Sequence, residues 1–111
     1  MVEYNIADFD AYSEPYESFR SFWVKANKAN KILLFFTDGH KQGIIRTGWH
    51  IKPDGEKEYI TSINERRKRF NMYFSKYILP WFEDYIKPYE VMKKQFYLRG
   101  MMLYWGAVVV K

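Results

Sequence analysis

The chain has no cysteine among its 111 residues, which removes disulfides, thiolate zinc sites and cysteine nucleophiles together and leaves the redox compartment open. Histidine, the usual acid, base or metal ligand, occurs only as His40 and His50. Long uncharged runs are missing too. The longest, residues 100–110, has eleven residues, well short of the roughly 20 that a membrane-spanning helix needs. The opening Met1-Val2-Glu3-Tyr4 has neither the basic start nor the apolar run of a secretory signal, so the expected placement is cytoplasmic. No serine sits in a Gly-x-Ser-x-Gly elbow, and the glycine-bearing stretch at 38–43 has neither Walker spacing nor a Ser or Thr after its lysine. RNP aromatic motifs, Gly-x-x-Gly loops and zinc knuckles are also absent. Neither catalysis nor a cofactor is expected on these grounds.

What is present is charge, unevenly placed, and an excess of aromatic side chains. Residues 1–18 hold Glu3, Asp8, Asp10, Glu14 and Glu17 with no lysine or arginine, whereas the remaining 93 residues hold all 18 basic side chains against 8 acidic ones. An acidic segment therefore precedes a body of net +10, which attracts polyanions or an acidic partner surface. Aromatic residues make up 21% of the chain, including 10 Tyr and 4 Trp. They can build a core, stack on bases, or serve as protein-contact anchors.

Patterning predicts one α+β domain over residues 1–111, with no linker, repeat or low-complexity tract. A weak strand signal at 2–6 precedes an amphipathic helix from an N-cap at Ser13 to about Asn30, carried by Tyr12, Tyr16, Phe19, Trp23 and Ala26. A short apolar strand at 32–37 and a loop at 38–43 follow. A β-hairpin over 44–63 turns on Asp54-Gly55, with Trp49 facing Tyr59 and Thr47 facing Thr61. Ser62-Ile63-Asn64-Glu65 is a capping box that starts a helical region over 63–99. Its apolar stripe, recurring at Phe70, Tyr73 and Phe74, Tyr77 and Ile78, Trp81 and Phe82, Tyr85 and Ile86, and Tyr89, has a period of four, which no straight helix keeps on one face; Pro80 and Pro88 are expected to break it into segments 63–78, 80–87 and 89–99. Phe74, Tyr77, Trp81 and Phe82 are expected to face one core. After Gly100, the strand 101–110 is apolar on both alternate faces, the pattern of a strand inside a mostly antiparallel sheet that packs against these helices.

The feature least suited to a merely solvated surface is Arg66-Arg67-Lys68-Arg69. It lies near the positive end of the helix dipole, where each cation costs about 0.3 kcal/mol or more. Lys68, Arg69 and Lys76 are expected to point outward, and Arg66 and Arg67 to flank the apolar stripe. With Arg46 and Lys52 they form a candidate surface for nucleic acid or another polyanion. The alternative reading is a protein-interaction module, such as a phage or mobile-element accessory protein that inhibits a host protein, with homo-oligomers among its assemblies. His40 and His50, set far apart by the intervening strand, are not expected to share a metal, and their replacement by alanine is expected to leave folding intact. Asp38 with His40, joined by Asp54 and Glu56, would be a cation-dependent site, but acids beside glycine in loops are more often turn formers. No metal site is assigned.

Overall fold

The computed structural model describes residues 4–10, 14–39 and 41–111. The expected Ser13 cap, Tyr12 and His40 lie outside them. The fold is α+β, built on a four-stranded sheet, with a separate two-stranded hairpin. Strands β1 (Tyr4–Asp10), β2 (Lys28–Asp38), β5 (Glu90–Arg99) and β6 (Met102–Val110) lie in the order β1-β2-β6-β5. The β1 and β2 strands are parallel and joined by helix α1 (Tyr16–Lys25), whereas β6 runs antiparallel to both of its neighbours. Between β2 and β5 come α2 (Lys41–Arg46), the hairpin β3 (Trp49–Ile51) and β4 (Lys57–Tyr59), α3 (Ile63–Asn71), a π-helical stretch at Tyr73–Ile78, and α4 (Leu79–Tyr85).

Period-two burial selects one sheet face for the core. Phe9, Ile32, Leu34, Phe36, Leu103, Trp105, Ala107 and Val109 point into it and are nearly inaccessible. Phe19 and Trp23 of α1 and Phe74, Ile78 and Phe82 of the later helices cover them. Phe36 is the hub, stacked on Trp105 at 4.3 Å and meeting Phe9, Phe19 and Phe82 with ring centroids between 5.3 and 5.8 Å. Such aromatic contacts add about 0.5–1.5 kcal/mol each beyond the area they bury.

The period-four stripe is resolved by the π-helical stretch. The Leu79 N–H reaches back five residues to the Phe74 carbonyl, so the turn takes in one extra residue and side chains four apart stay aligned. Phe74, Ile78, Phe82 and Ile86 are all buried as a result. Pro80 sits in the first turn of α4, where its missing N–H costs little. Trp81 is half-buried and Tyr77 exposed, so Tyr77 does not join the core.

Several expected boundaries change. Helix α1 ends at Lys25, short of the expected Asn30, and the strand expected at 32–37 begins at Lys28, because these residues are drawn into the sheet beside β1 and β6. The helical region ends at Tyr85, and residues 90–99 form a strand instead of a helix. Gly100, with φ of 61°, is therefore the first residue of a tight β5–β6 turn, not a helix stop. The hairpin expected over 44–63 is paired only at 49–51 and 57–59, because 41–46 is helical. Trp49 does face Tyr59, as the turn geometry requires, but Thr47 lies outside the ladder. β6 takes its expected place inside the sheet.

The molecule measures 47 × 23 × 23 Å. The eleven residues of β2 span about 36 Å at roughly 3.3 Å per residue, so the strands must run along the long axis. The hairpin, α2 and α3 gather near the end of the sheet where β2 stops and β6 begins.

Candidate polyanion-binding end

This end of the molecule carries its charge. Residues 41–76 hold nine basic and four acidic side chains, a net of +5, and the other 75 residues hold nine of each sign. The protein's whole excess of positive charge thus lies in one segment comprising α2, the hairpin, α3 and the start of the π-helical stretch.

The serine half of the expected capping box forms, with Ser62 Oγ accepting from the Glu65 N–H at 3.4 Å. The helix that follows buries none of its side chains deeply. It is held instead by two of its arginines, which are three residues apart and so share a face. Arg66 Nε donates to the Ile60 carbonyl at 2.6 Å, and its guanidinium lies 5.7 Å from the centre of the Tyr59 ring. The path crosses Gly48, where a Cβ would stand 2.7 Å from Arg66 Nε and 2.4 Å from the Ile60 carbonyl oxygen. With φ of 77° there as well, only glycine fits.

Arg69 forms the second tie. Its guanidinium donates to both carboxylate oxygens of Glu58 on β4 and lies 4.0 Å from the Tyr77 ring centre. His50 Nε2 joins the cluster, 2.8 Å from Glu58 Oε1 and 3.1 Å from Arg69 Nη1. Hydrogen bonding from Arg69 holds the Glu58 carboxyl below its usual range, against the opposing effect of partial burial. His50 is buried. It is part of the joint between hairpin and helix, so alanine there would remove a polar contact from the interior, contrary to the expectation of a neutral exchange.

The structure therefore divides the basic cluster. Arg66 and Arg69 face the hairpin, while Arg67, Lys68 and Lys76 are exposed. Arg69 was expected outward; the Glu58 carboxylate and the Tyr77 ring draw it in. Lys68 forms a loose exposed pair with Glu65 at 3.7 Å, an arrangement of little energetic consequence. Arg46, at the end of α2, is exposed. Lys52 is engaged in the hairpin turn, 3.2 Å from Glu56 and 4.0 Å from Asp54. On the hairpin, next to Arg66, Trp49 and Tyr59 stack at 4.6 Å with both rings substantially exposed. Their pairing was legible in the hairpin register, but their exposure was not.

Asp38 has a different role from the loop acid expected. It is fully buried, and its Oδ2 accepts from the hydroxyls of Tyr16 and Tyr73 at 2.8 Å each. Trp105 Nε1 donates to Tyr16 at 3.2 Å. Burial, then the neighbouring Asp38 charge, pushes both phenols well above their ordinary range. Glu14, also buried, accepts from the Tyr16 and Glu17 N–H groups at 2.7 and 3.0 Å, capping α1, and its carboxyl is raised by desolvation. Asp54 instead accepts from the Glu56 N–H within the hairpin turn. Among the described residues no group of three or more His, Asp or Glu side chains is placed to hold a metal ion, and no helix is long and apolar enough to cross a membrane.

Comparison with known proteins found no matching family model, curated protein or solved structure, so the residues and their geometry alone carry the functional reading.

Proposed function

We propose that the protein is a non-enzymatic binding protein that contacts a polyanion, nucleic acid foremost, at the α3 end of the molecule. The supporting observation is the concentration of the entire net +5 in residues 41–76. There, Arg67 and Lys68 of α3 and Lys76 of the π-helical stretch project into solvent, while Arg66 and Arg69 fix α3 against the hairpin. The exposed Trp49–Tyr59 stack supplies an aromatic face on which an unpaired base can rest. Phosphate neutralisation by three side chains implies that the logarithm of affinity for duplex DNA falls with the logarithm of salt at a slope of about −3. Fluorescence anisotropy over a salt series measures it. Replacing Arg67, Lys68 and Lys76 with glutamine should flatten the slope and weaken binding alike on all sequences, because phosphate contacts do not read bases. Binding that ignores salt, or survives the triple substitution unchanged, overturns the reading.

A further inference from the structure

We propose that the open face of the four-stranded sheet is the contact surface of a homodimer, in which a second copy packs sheet on sheet about a two-fold axis parallel to the strands.

The helices cover one face of the sheet. The other presents Ile6, Leu33, Phe35, Tyr97, Tyr104 and Val108, with Ile6, Phe35 and Tyr97 between 43% and 59% exposed. Phe35 lies over Gly106, where a Cβ would approach the ring to 3.1 Å, and the surrounding side chains outline an open hollow of about 530 Å³. Such a continuous apolar area is unusual on an isolated molecule. The sequence of β6 makes the same point: it is patterned for burial on both faces, and the described residues cover only one.

Charge along the two edges identifies the occupant. On the open face, β1 contributes Asp8 and Asp10, level with Phe35 and Thr37, whereas β5 contributes Lys93 and Arg99, level with Val108 and Met102. A two-fold axis parallel to the strands lays the β1 edge of one copy over the β5 edge of the other, so acidic meets basic twice by symmetry. An axis across the strands would set acid on acid and base on base. Sheets packed face to face lie about 10 Å apart, within reach of lysine and arginine side chains meeting carboxylates from the opposite sheet. Pairing through the β5 edge is less suitable, since Lys93 and Lys94 lie near its middle and would approach their own copies. Nucleic acid fits this face poorly because Asp8 and Asp10 repel phosphate. The inference stands independently of binding at the α3 end.

Sedimentation equilibrium from low micromolar to submillimolar protein should show the wild type moving to twice the monomer mass. Asp8→Lys/Asp10→Lys makes both edges basic and Lys93→Glu/Arg99→Glu makes both acidic. Each variant alone should lose at least about tenfold in self-affinity. An equimolar mixture of the two should recover a heterodimer, because every inter-copy pair is again of opposite sign. All four positions are exposed, and circular dichroism of each variant confirms folding. A wild type that stays monomeric, double variants that dimerise as well as wild type, or a mixture that fails to associate would each overturn the proposal.

Discussion

At the scale of single residues, the most consequential group is the buried Asp38 carboxylate held by Tyr16 and Tyr73. A carboxylate without its donors would cost several kcal/mol in such a site, so the two phenols are structural necessities. Their raised pKa values carry a pH signature of definite sign. The folded state keeps both protons where the unfolded chain releases them near pH 10, so their contribution is intact below that value and declines above it. Each tyrosine should remove about 1.4 kcal/mol per pH unit, or about 2.7 kcal/mol for the pair. Urea unfolding at several pH values above 10 measures this slope. Tyr73→Phe should lower stability at every pH yet halve the slope; an unchanged slope would mean that Tyr73 ionises freely. Little of this cluster was legible beforehand, because Asp38 beside Gly39 has the local signature of a turn, and the tyrosines that hold it stand 22 and 35 residues away.

Elements show a clearer division between what local sequence decides and what it does not. The Ser62 cap, the Trp49–Tyr59 register and the helix carried by Phe19 and Trp23 depend on neighbours within a few residues, and each was readable. Residues 90–99 were not, since their strand exists only through its ladder with β6. The period-four stripe showed that a straight helix would fail without showing that a π turn would be the remedy. Within that stretch, Phe82 is fully buried against Phe36 and Trp105. Phe82→Ala should therefore cost about 3–5 kcal/mol in a chemical melt, whereas a loss under 1 kcal/mol would place the ring outside the core. α3 is the reverse case, held by arginines and almost no apolar burial. Arg69→Ala should loosen α3 and the hairpin by about 2 kcal/mol, seen as faster amide exchange there while the sheet keeps its protection. Because Arg69 holds the Glu58 pKa down, this tie is intact at neutral pH and lost as pH falls below the ordinary carboxylate range through the lowered value. Equal loss of protection in the sheet would mean that the joint is integral to the main core.

For the whole molecule, the overall basic balance was plain in the sequence, but its confinement to one end depends on where residues 41–76 fold. The salt slope tests that confinement. Substitutions of the basic side chains at 93, 94 and 99 should leave duplex affinity nearly unchanged, while those at 67, 68 and 76 should reduce it. Comparable losses from both sets would spread the site over the full 47 Å length. The sheet order also governs how the chain acquires its shape. β6, which follows β5 in the chain, fits between β2 and β5, with Lys31 paired to Val110 and Asp38 to Leu103 across more than sixty residues of chain. Loops of that size close slowly. During synthesis, β1, α1 and β2 must therefore wait with an unsatisfied strand edge, and β5 has no sheet to join until β6 arrives. A nascent chain stalled at residue 100 should expose the β2 edge to chaperones or to its neighbours, and addition of residues 101–111 should bring the whole core together in a single step.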